Sequence, residues 1–229
     1  MLEYNNLIKN NLTFLSFFIY YYSNKYLDKQ FHLNDMGLRI LSTLHSIGCF
    51  TSSLMFLLGY INNVEISYLL IFISKGYFFY DIYYLLKYKK LDISFIQYLL
   101  HHIVCFIAID NVRKYPIIVT QGFLSEITAP FLNISWYLNK IKRKNYIYFG
   151  NGILIMILFL KYRILNFYTI LNNIDLVIFS SKNNIEFYFY KYLMTFLWGL
   201  NIFWFVCIIK LFFKDLNYSP KKIMFTLNK

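Results

Sequence analysis

The chain has 229 residues, of which 59% are hydrophobic, 22% aromatic and only 15% charged, with a formal net charge of +12 and a mean hydropathy of +0.46. A water-soluble domain carries about a quarter charged residues, so composition excludes a soluble globular protein and indicates an integral membrane protein. The length admits one domain of roughly six or seven spanning helices, at about 20 apolar residues each.

Seven apolar segments follow in chain order: Leu7–Ser23, Met36–Tyr60, Ile66–Lys87, Phe95–Asn111, Pro116–Leu138, Tyr146–Phe167 and Tyr190–Phe213. The expected fold is therefore all-α, a polytopic transmembrane bundle of about seven spans. The first segment is the weakest, because Asn10 and Asn11 interrupt it. It resembles a signal-peptide core, but no small-residue cleavage site follows, and it reads as a retained anchor helix. The organisation expected is an N-terminal anchor helix and loop over 1–35, a membrane domain over 36–215 and a basic tail over 216–229.

Basic residues set the orientation. Of the 23 Lys and Arg residues, 15 fall on every second connection: around Lys25, around Lys89, over Lys140–Lys144 and along the C-terminal tail. The alternate connections hold five, namely Lys9, Arg113, Lys114, Lys182 and Lys191. Cytoplasmic loops of membrane proteins are enriched in Lys and Arg, so the C-terminus is expected in the cytoplasm. Scattered over membrane-flanking loops, these residues form no nucleic-acid-binding face. Membrane lipids are the expected partners, and Lys140–Lys144 suits anionic headgroups. Phe, Tyr, Ile, Asn and Lys share AT-rich codons, so the 25 Phe and 23 Tyr are not read as an aromatic substrate box.

Polar side chains inside the apolar segments carry the functional signal. They are His45, Lys75, Asp81, Gln97, His101, His102, Glu126, Asn133, Arg163 and Asn201. A charge near the bilayer centre costs about 2.5–3.5 kcal/mol on insertion scales, so mutual pairing in an interior cavity is the economical arrangement. Gln97, His101 and Cys105 form one stripe at i, i+4, i+8; His102 points about 100° away. Tyr77 and Asp81 are also four apart. Glu126 and Asn133 stack two turns along one face, with Pro130 between them loosening the helix and freeing a carbonyl. A carboxylate beside an imidazole orients its tautomer and raises its basicity, which suits general-base or nucleophilic chemistry. The same residues also fit a structural hydrogen-bonding network between helices. Asp81 is expected to pair with Lys75, and Arg163, read as lying near the end of its span, to anchor at the interface.

Cys49, Cys105 and Cys207 lie in apolar stretches without ligand spacing, so no disulfide framework is implied. Neither nucleotide-binding nor hydrolase motifs occur. The histidines are adjacent rather than four apart, so joint metal chelation is not expected, and no metal site or cofactor is assigned.

Taken in order, RILSTLH at Arg39–His45, KGYFFYD at Lys75–Asp81, the Leu100-His101-His102 triplet, LSEITAPFLNISWYL at Leu124–Leu138, Arg163 and Asn201–Trp204 resemble a TLC domain, shared by TRAM, LAG1 and CLN8 proteins. The Leu124–Leu138 stretch resembles the pattern of the TMEM56-like TLC-domain-containing branch. The resemblance covers about residues 36–215. It implies a multi-pass endomembrane protein, often of the endoplasmic reticulum, acting in lipid homeostasis or membrane lipid composition. It also implies a polar intramembrane lipid-binding cavity.

Ceramide synthases of this superfamily join an acyl group from acyl-CoA to a sphingoid amine. They use a histidine pair and a following HDxSD-like stretch. His101 and His102 match the pair, and Ser125 and Glu126 fall where SD would stand, but Gly122 and Phe123 replace the first histidine and aspartate. Three functions therefore remain open. The first is a lipid-handling protein. The second is an acyl-CoA-dependent N-acyltransferase, with acyl-CoA as co-substrate. The third is a transporter or seven-helix receptor. In the catalytic reading His101, His102 and Glu126 act; His45, Tyr77, Asp81, Gln97, Asn133 and Asn201 line the substrate site.

Overall fold

The computed structural model describes residues 2–31, 35–60, 64–110, 116–178 and 184–218. The connections carrying Arg113, Lys114 and Lys182, and most of the expected basic tail, lie outside the described residues. Among the described residues the regular secondary structure is all helical, with no strand. Seven rods correspond to the seven expected segments: α1 (Leu2–Phe31), α2 (Met36–Leu57), α3 (Val64–Tyr88), α4 (Ile93–Asp110), α5 (116–140), α6 (146–178) and α7 (Asn184–Tyr218). Four stretches, Met36–Leu57, Ile117–Lys140, Tyr146–Ile174 and Tyr188–Asn217, are long and apolar enough to cross a membrane; Ile93–Ile109 is a shorter apolar helix.

Contacts between rods define a ring. Going round it, α2 packs on α3, α3 on α4, α4 on α7, α7 on α6, α6 on α5, and α5 returns to α2. Helix α1 stands outside this ring, against α2 and α3. Exposed Leu, Ile, Phe and Tyr side chains face outward from every rod, as a lipid-facing surface requires.

Local chemistry explains where rods begin and end. The Asp92 carboxylate caps α4, accepting from Ser94 Oγ (2.6 Å) and the Phe95 N–H (2.7 Å). The Asn145 side chain caps α6 by accepting from the Tyr148 N–H at 3.3 Å. Both are preferred N-cap types. The start of α2 is capped from another helix, as Asp28 Oδ1 of α1 accepts the Gly37 N–H at 2.8 Å.

Two interruptions matter for the interior. Rod α5 consists of a helix Pro116–Phe123, a 3-10 turn Leu124–Ile127 and a helix Thr128–Lys140. Pro130 accounts for the turn. It has no N–H for the carbonyl of Glu126 four residues back, and its ring crowds that carbonyl. Rod α6 contains a π-helical turn, Leu160–Leu165, between Tyr146–Phe159 and Asn166–Ile178. Two carbonyls at these irregularities are bonded from neighbouring side chains. Trp198 Nε1 donates to the Ile164 carbonyl at 3.1 Å, and Asn166 Nδ2 to the Gln121 carbonyl at 2.7 Å.

α1 reaches α3 through Gly76. A Cβ there would collide with Ser16 Oγ and stand 2.7 Å from the Thr13 carbonyl oxygen. Small residues at helix contacts permit such close approach in membranes. Gly76→Ala should therefore destabilise the purified protein by about 1–3 kcal/mol, read as a lowered melting temperature. Gly150→Ala, where a Cβ meets nothing within 4 Å, should leave it unchanged or raised.

At the start of α2, Asp35 adopts left-handed backbone geometry (φ 69). Its carboxylate accepts from Tyr84 Oη at 2.6 Å and Lys89 Nζ at 2.7 Å. Burial works to raise the Asp35 carboxyl, but the hydrogen bonds from Lys89 and Tyr84 and the nearby charges of Lys89 and Arg39 hold it below the ordinary carboxylate range. Its native pKa therefore lies below the unfolded value of about 4. The stabilisation is complete above that value and lost as pH falls through the native pKa. Melting temperature should decline over that acidic window, and Asp35→Asn should be less stable at neutral pH with a flatter acidic limb.

Candidate functional site

Each pair of neighbours in the ring is joined by a polar or ring contact about halfway along the rods. The adjacent histidines show how. Helix α4 lies between α3 and α7, and two consecutive positions about 100° apart reach one neighbour each. His102 turns to α3, its Nε2 lying 3.2 Å from Asp81 Oδ2. His101 turns to α7, packing edge-on against Trp204 with ring centres 5.1 Å apart. One turn away, Trp204 Nε1 donates to Gln97 Oε1 at 3.3 Å.

Helix α2 repeats the device. His45 stacks on Tyr77 of α3, ring centres 3.9 Å apart. Ser46, the next residue, turns to α5 and donates to Glu126 Oε2 at 3.2 Å. Cys49, one turn on from His45, brings its sulfur 3.3 Å from His45 Nε2 and 3.2 Å from Ser74 Oγ of α3.

The remaining side of the ring belongs to Arg163. Its Nε donates to Thr128 Oγ1 at 2.7 Å and its Nη1 to Asn201 Oδ1 at 3.3 Å. Its Nη2 stands 3.9 Å from Glu126 Oε1. Thr128 passes the chain on, donating to the Ser125 carbonyl at 3.0 Å. The guanidinium thus links α6 to α5 and α7 together. The circuit runs from Asp81 and His102 through His101 and Trp204, then Asn201, Arg163, Glu126 and Ser46, back to His45 and Tyr77.

Two sequence expectations change here. Arg163 is no interfacial anchor; it is 5% exposed and sits midway along a rod that continues to Ile178, beyond the apolar segment drawn to Phe167. The π turn places it facing inward, and such turns recur at functional sites. Asp81 meets His102 rather than Lys75, whose ammonium lies 4.8 Å from the Phe106 ring centre. The carboxylate beside an imidazole is therefore Asp81, and Glu126 faces Ser46 and Arg163 instead.

Of the sequence-derived residues, His45, Tyr77, Asp81, His101, His102, Glu126 and Asn201 come together in this belt. Gln97 joins its rim through Trp204. Asn133 lies apart, toward the basic end, where Nδ2 donates to the Arg39 carbonyl (3.1 Å) and Thr43 Oγ1 (2.9 Å), and Oδ1 accepts from Arg39 Nη1 (3.1 Å). Sequence reasoning left Ser46, Cys49, Ser74 and Thr128 out. Small hydroxyls in apolar helices bond their own backbone as readily as a neighbour, so only a partner's position distinguishes them. Arg163 was detectable: the apolar run continues past Phe167 through Ile170, Leu171 and Ile174, which puts it mid-span.

Three belt atoms are buried without a hydrogen-bond partner: His45 Nδ1, His102 Nδ1 and Asn201 Nδ2. In the neutral tautomer that donates Nε2–H to Asp81, His102 Nδ1 carries a free lone pair, while Asn201 Nδ2 is a donor only. The belt therefore offers both a hydrogen-bond acceptor and a hydrogen-bond donor, each buried.

Residues 13–210 match the TLC domain family, the domain of TRAM, LAG1 and CLN8 proteins. The chain is a multi-pass integral membrane protein and belongs to the TLC domain family. Comparison with curated proteins and with solved structures gave no match.

Removing one member of a buried ion pair strands the other and costs about 3–5 kcal/mol. Arg163→Met should accordingly lower the melting temperature sharply, and Arg163→Met with Glu126→Gln should recover much of the loss. Equal destabilisation by the single and double variants would show that Glu126 does not depend on Arg163.

Proposed function

We propose that this protein acts in lipid homeostasis or membrane lipid composition by holding the polar group of a lipid inside the helix ring. The observation that carries this reading is the trio His45 Nδ1, His102 Nδ1 and Asn201 Nδ2, buried and unpartnered on helices whose other polar atoms are largely paired. A buried polar atom without a partner costs about 1–3 kcal/mol, and a lipid headgroup with both donor and acceptor atoms removes that cost. Membrane lipids are its natural source.

The stretch Leu124–Leu138, which supplies Glu126 and Thr128, favours the TMEM56-like branch. A cytoplasmic C-terminus accords with the alternating distribution of Lys and Arg, and an endomembrane location, such as the endoplasmic reticulum, with membership of the TLC family.

A second reading is supported by one contact. The His102–Asp81 pair at 3.2 Å is the arrangement in which a carboxylate orients an imidazole for general-base work. In that reading the protein is a ceramide-synthase-type enzyme of sphingolipid chemistry. His102 Nδ1 would take a proton from the sphingoid amine as its nitrogen attacks the thioester carbonyl of acyl-CoA; the amide C–N bond forms, the C–S bond breaks and CoA leaves as the thiol with that proton. Glu126, held by Ser46 and Arg163, would position the interior rather than the imidazole.

Purified protein should carry a lipid with a hydrogen-bonding headgroup, detected by native mass spectrometry. His45→Phe keeps the stack on Tyr77 while removing Nδ1, and should reduce lipid occupancy roughly tenfold, the equivalent of one buried hydrogen bond of about 1.4 kcal/mol. Lipid-free wild-type protein, or unchanged occupancy in folded His45→Phe, would overturn the binding reading. Acyl transfer from acyl-CoA to a sphingoid amine that is lost in Asp81→Asn would establish the second.

A further inference from the structure

We propose that Arg39, Lys140 and Trp136 form a phosphate-binding site at the basic end of the bundle, separate from the interior belt. Arg39 lies in the first turns of α2 and Trp136 and Lys140 in the last turns of α5. The Arg39 guanidinium carbon stands 5.2 Å from the Trp136 ring centre, and Lys140 Nζ lies 6.0 Å from the same ring. One indole therefore gathers two cations from two helices. Cations over an indole are attracted by its ring face, which offsets part of their mutual repulsion and holds them near each other before any anion arrives.

Arg39 is fixed in place and still has unused donors. Asn133 grips it twice, accepting from its Nη1 at 3.1 Å and donating to its backbone carbonyl at 3.1 Å. Its Nε is buried with no partner. A guanidinium presents its N–H groups as a planar fork that suits phosphate oxygens, and the buried N–H on that fork has no acceptor among the described residues. Asp35 is within electrostatic reach of Arg39, but its two oxygens are engaged by Tyr84 and Lys89.

The surroundings add positive charge. Lys142 and Arg143 are exposed immediately beyond Lys140, and among the described residues no carboxylate pairs with Lys140, Lys142 or Arg143. Lys144 differs, being held by Asp215 at 2.7 Å. The site lies where α5 ends, the level at which lipid phosphates meet the protein if this end faces an anionic leaflet. Two sources supply the same chemistry: the headgroup phosphate of an anionic phospholipid, and the phosphates of a soluble nucleotide.

The test uses the full-length protein in a neutral detergent, with native mass spectrometry as the readout. The probes are dioctanoyl phosphatidic acid, dioctanoylglycerol, which differs only in lacking the phosphate, and adenosine 3′,5′-bisphosphate. Phosphatidic acid should bind with a salt-sensitive affinity, and dioctanoylglycerol should not. Lys140→Gln, an exposed change that leaves the packing alone, should weaken phosphatidic acid binding about fivefold, as expected for one basic residue near an anionic headgroup. Arg39→Lys keeps the charge but loses the fork, and should weaken it further. Competition by adenosine 3′,5′-bisphosphate would assign a soluble source and its absence a lipid source, either upholding the phosphate site. Equal binding of phosphatidic acid and dioctanoylglycerol would overturn the proposal. So would wild-type binding in folded Lys140→Gln, whether or not Arg39→Lys folds.

Discussion

The circuit of polar contacts around the ring is the constraint on which the structure turns. In hydrocarbon, apolar side chains gain little by touching one another rather than lipid, so an apolar surface alone does not fix which helix stands next to which. A polar group left facing lipid costs far more. Asp81 with His102, Trp204 with Gln97, Asn201 with Arg163, Arg163 with Glu126, and Glu126 with Ser46 each bind one neighbour to the next. The helix order follows from satisfying them together.

The belt in turn depends on two departures from regular helix. Pro130 tightens α5 at the turn that carries Glu126, and the π turn in α6 carries Arg163. Both place a charged side chain toward the ring interior, and both leave carbonyls that Asn166 and Trp198 bond. A guanidinium at this depth is tolerated because three side chains from two other helices receive it. The irregular backbone and the buried charge thus support one another.

The molecule divides its charge between two settings. At mid-depth the polar groups largely satisfy each other, leaving His45 Nδ1, His102 Nδ1 and Asn201 Nδ2 buried without a hydrogen-bond partner. At the basic end, cations outnumber the carboxylates available to them, and Arg39 and Lys140 share an indole rather than an acid. The proposed interior ligand rests on the first setting, the proposed phosphate site on the second. Asn133, hydrogen-bonded to Arg39 near the end of α5, lies between the two.

How much could be read beforehand follows from the physics of each feature. The all-α membrane fold was legible because apolar segments of spanning length and few charges leave no other economical structure. The charged, amide and imidazole residues of the interior were legible too, since hydrocarbon makes each of them conspicuous; so was an interruption of α5 near Pro130, a purely local effect. Pairing was not. Asp81 chose His102 over Lys75 because α3 stands beside α4 with those two facing. Glu126 went to Arg163 and Ser46 because α5 lies between α6 and α2. Arg163 was misplaced because its depth depends on how far α6 continues. Periodicity assigns a residue to a face of its own helix; which helix that face meets is decided by the order of rods around the ring, and that order exists only in the tertiary structure.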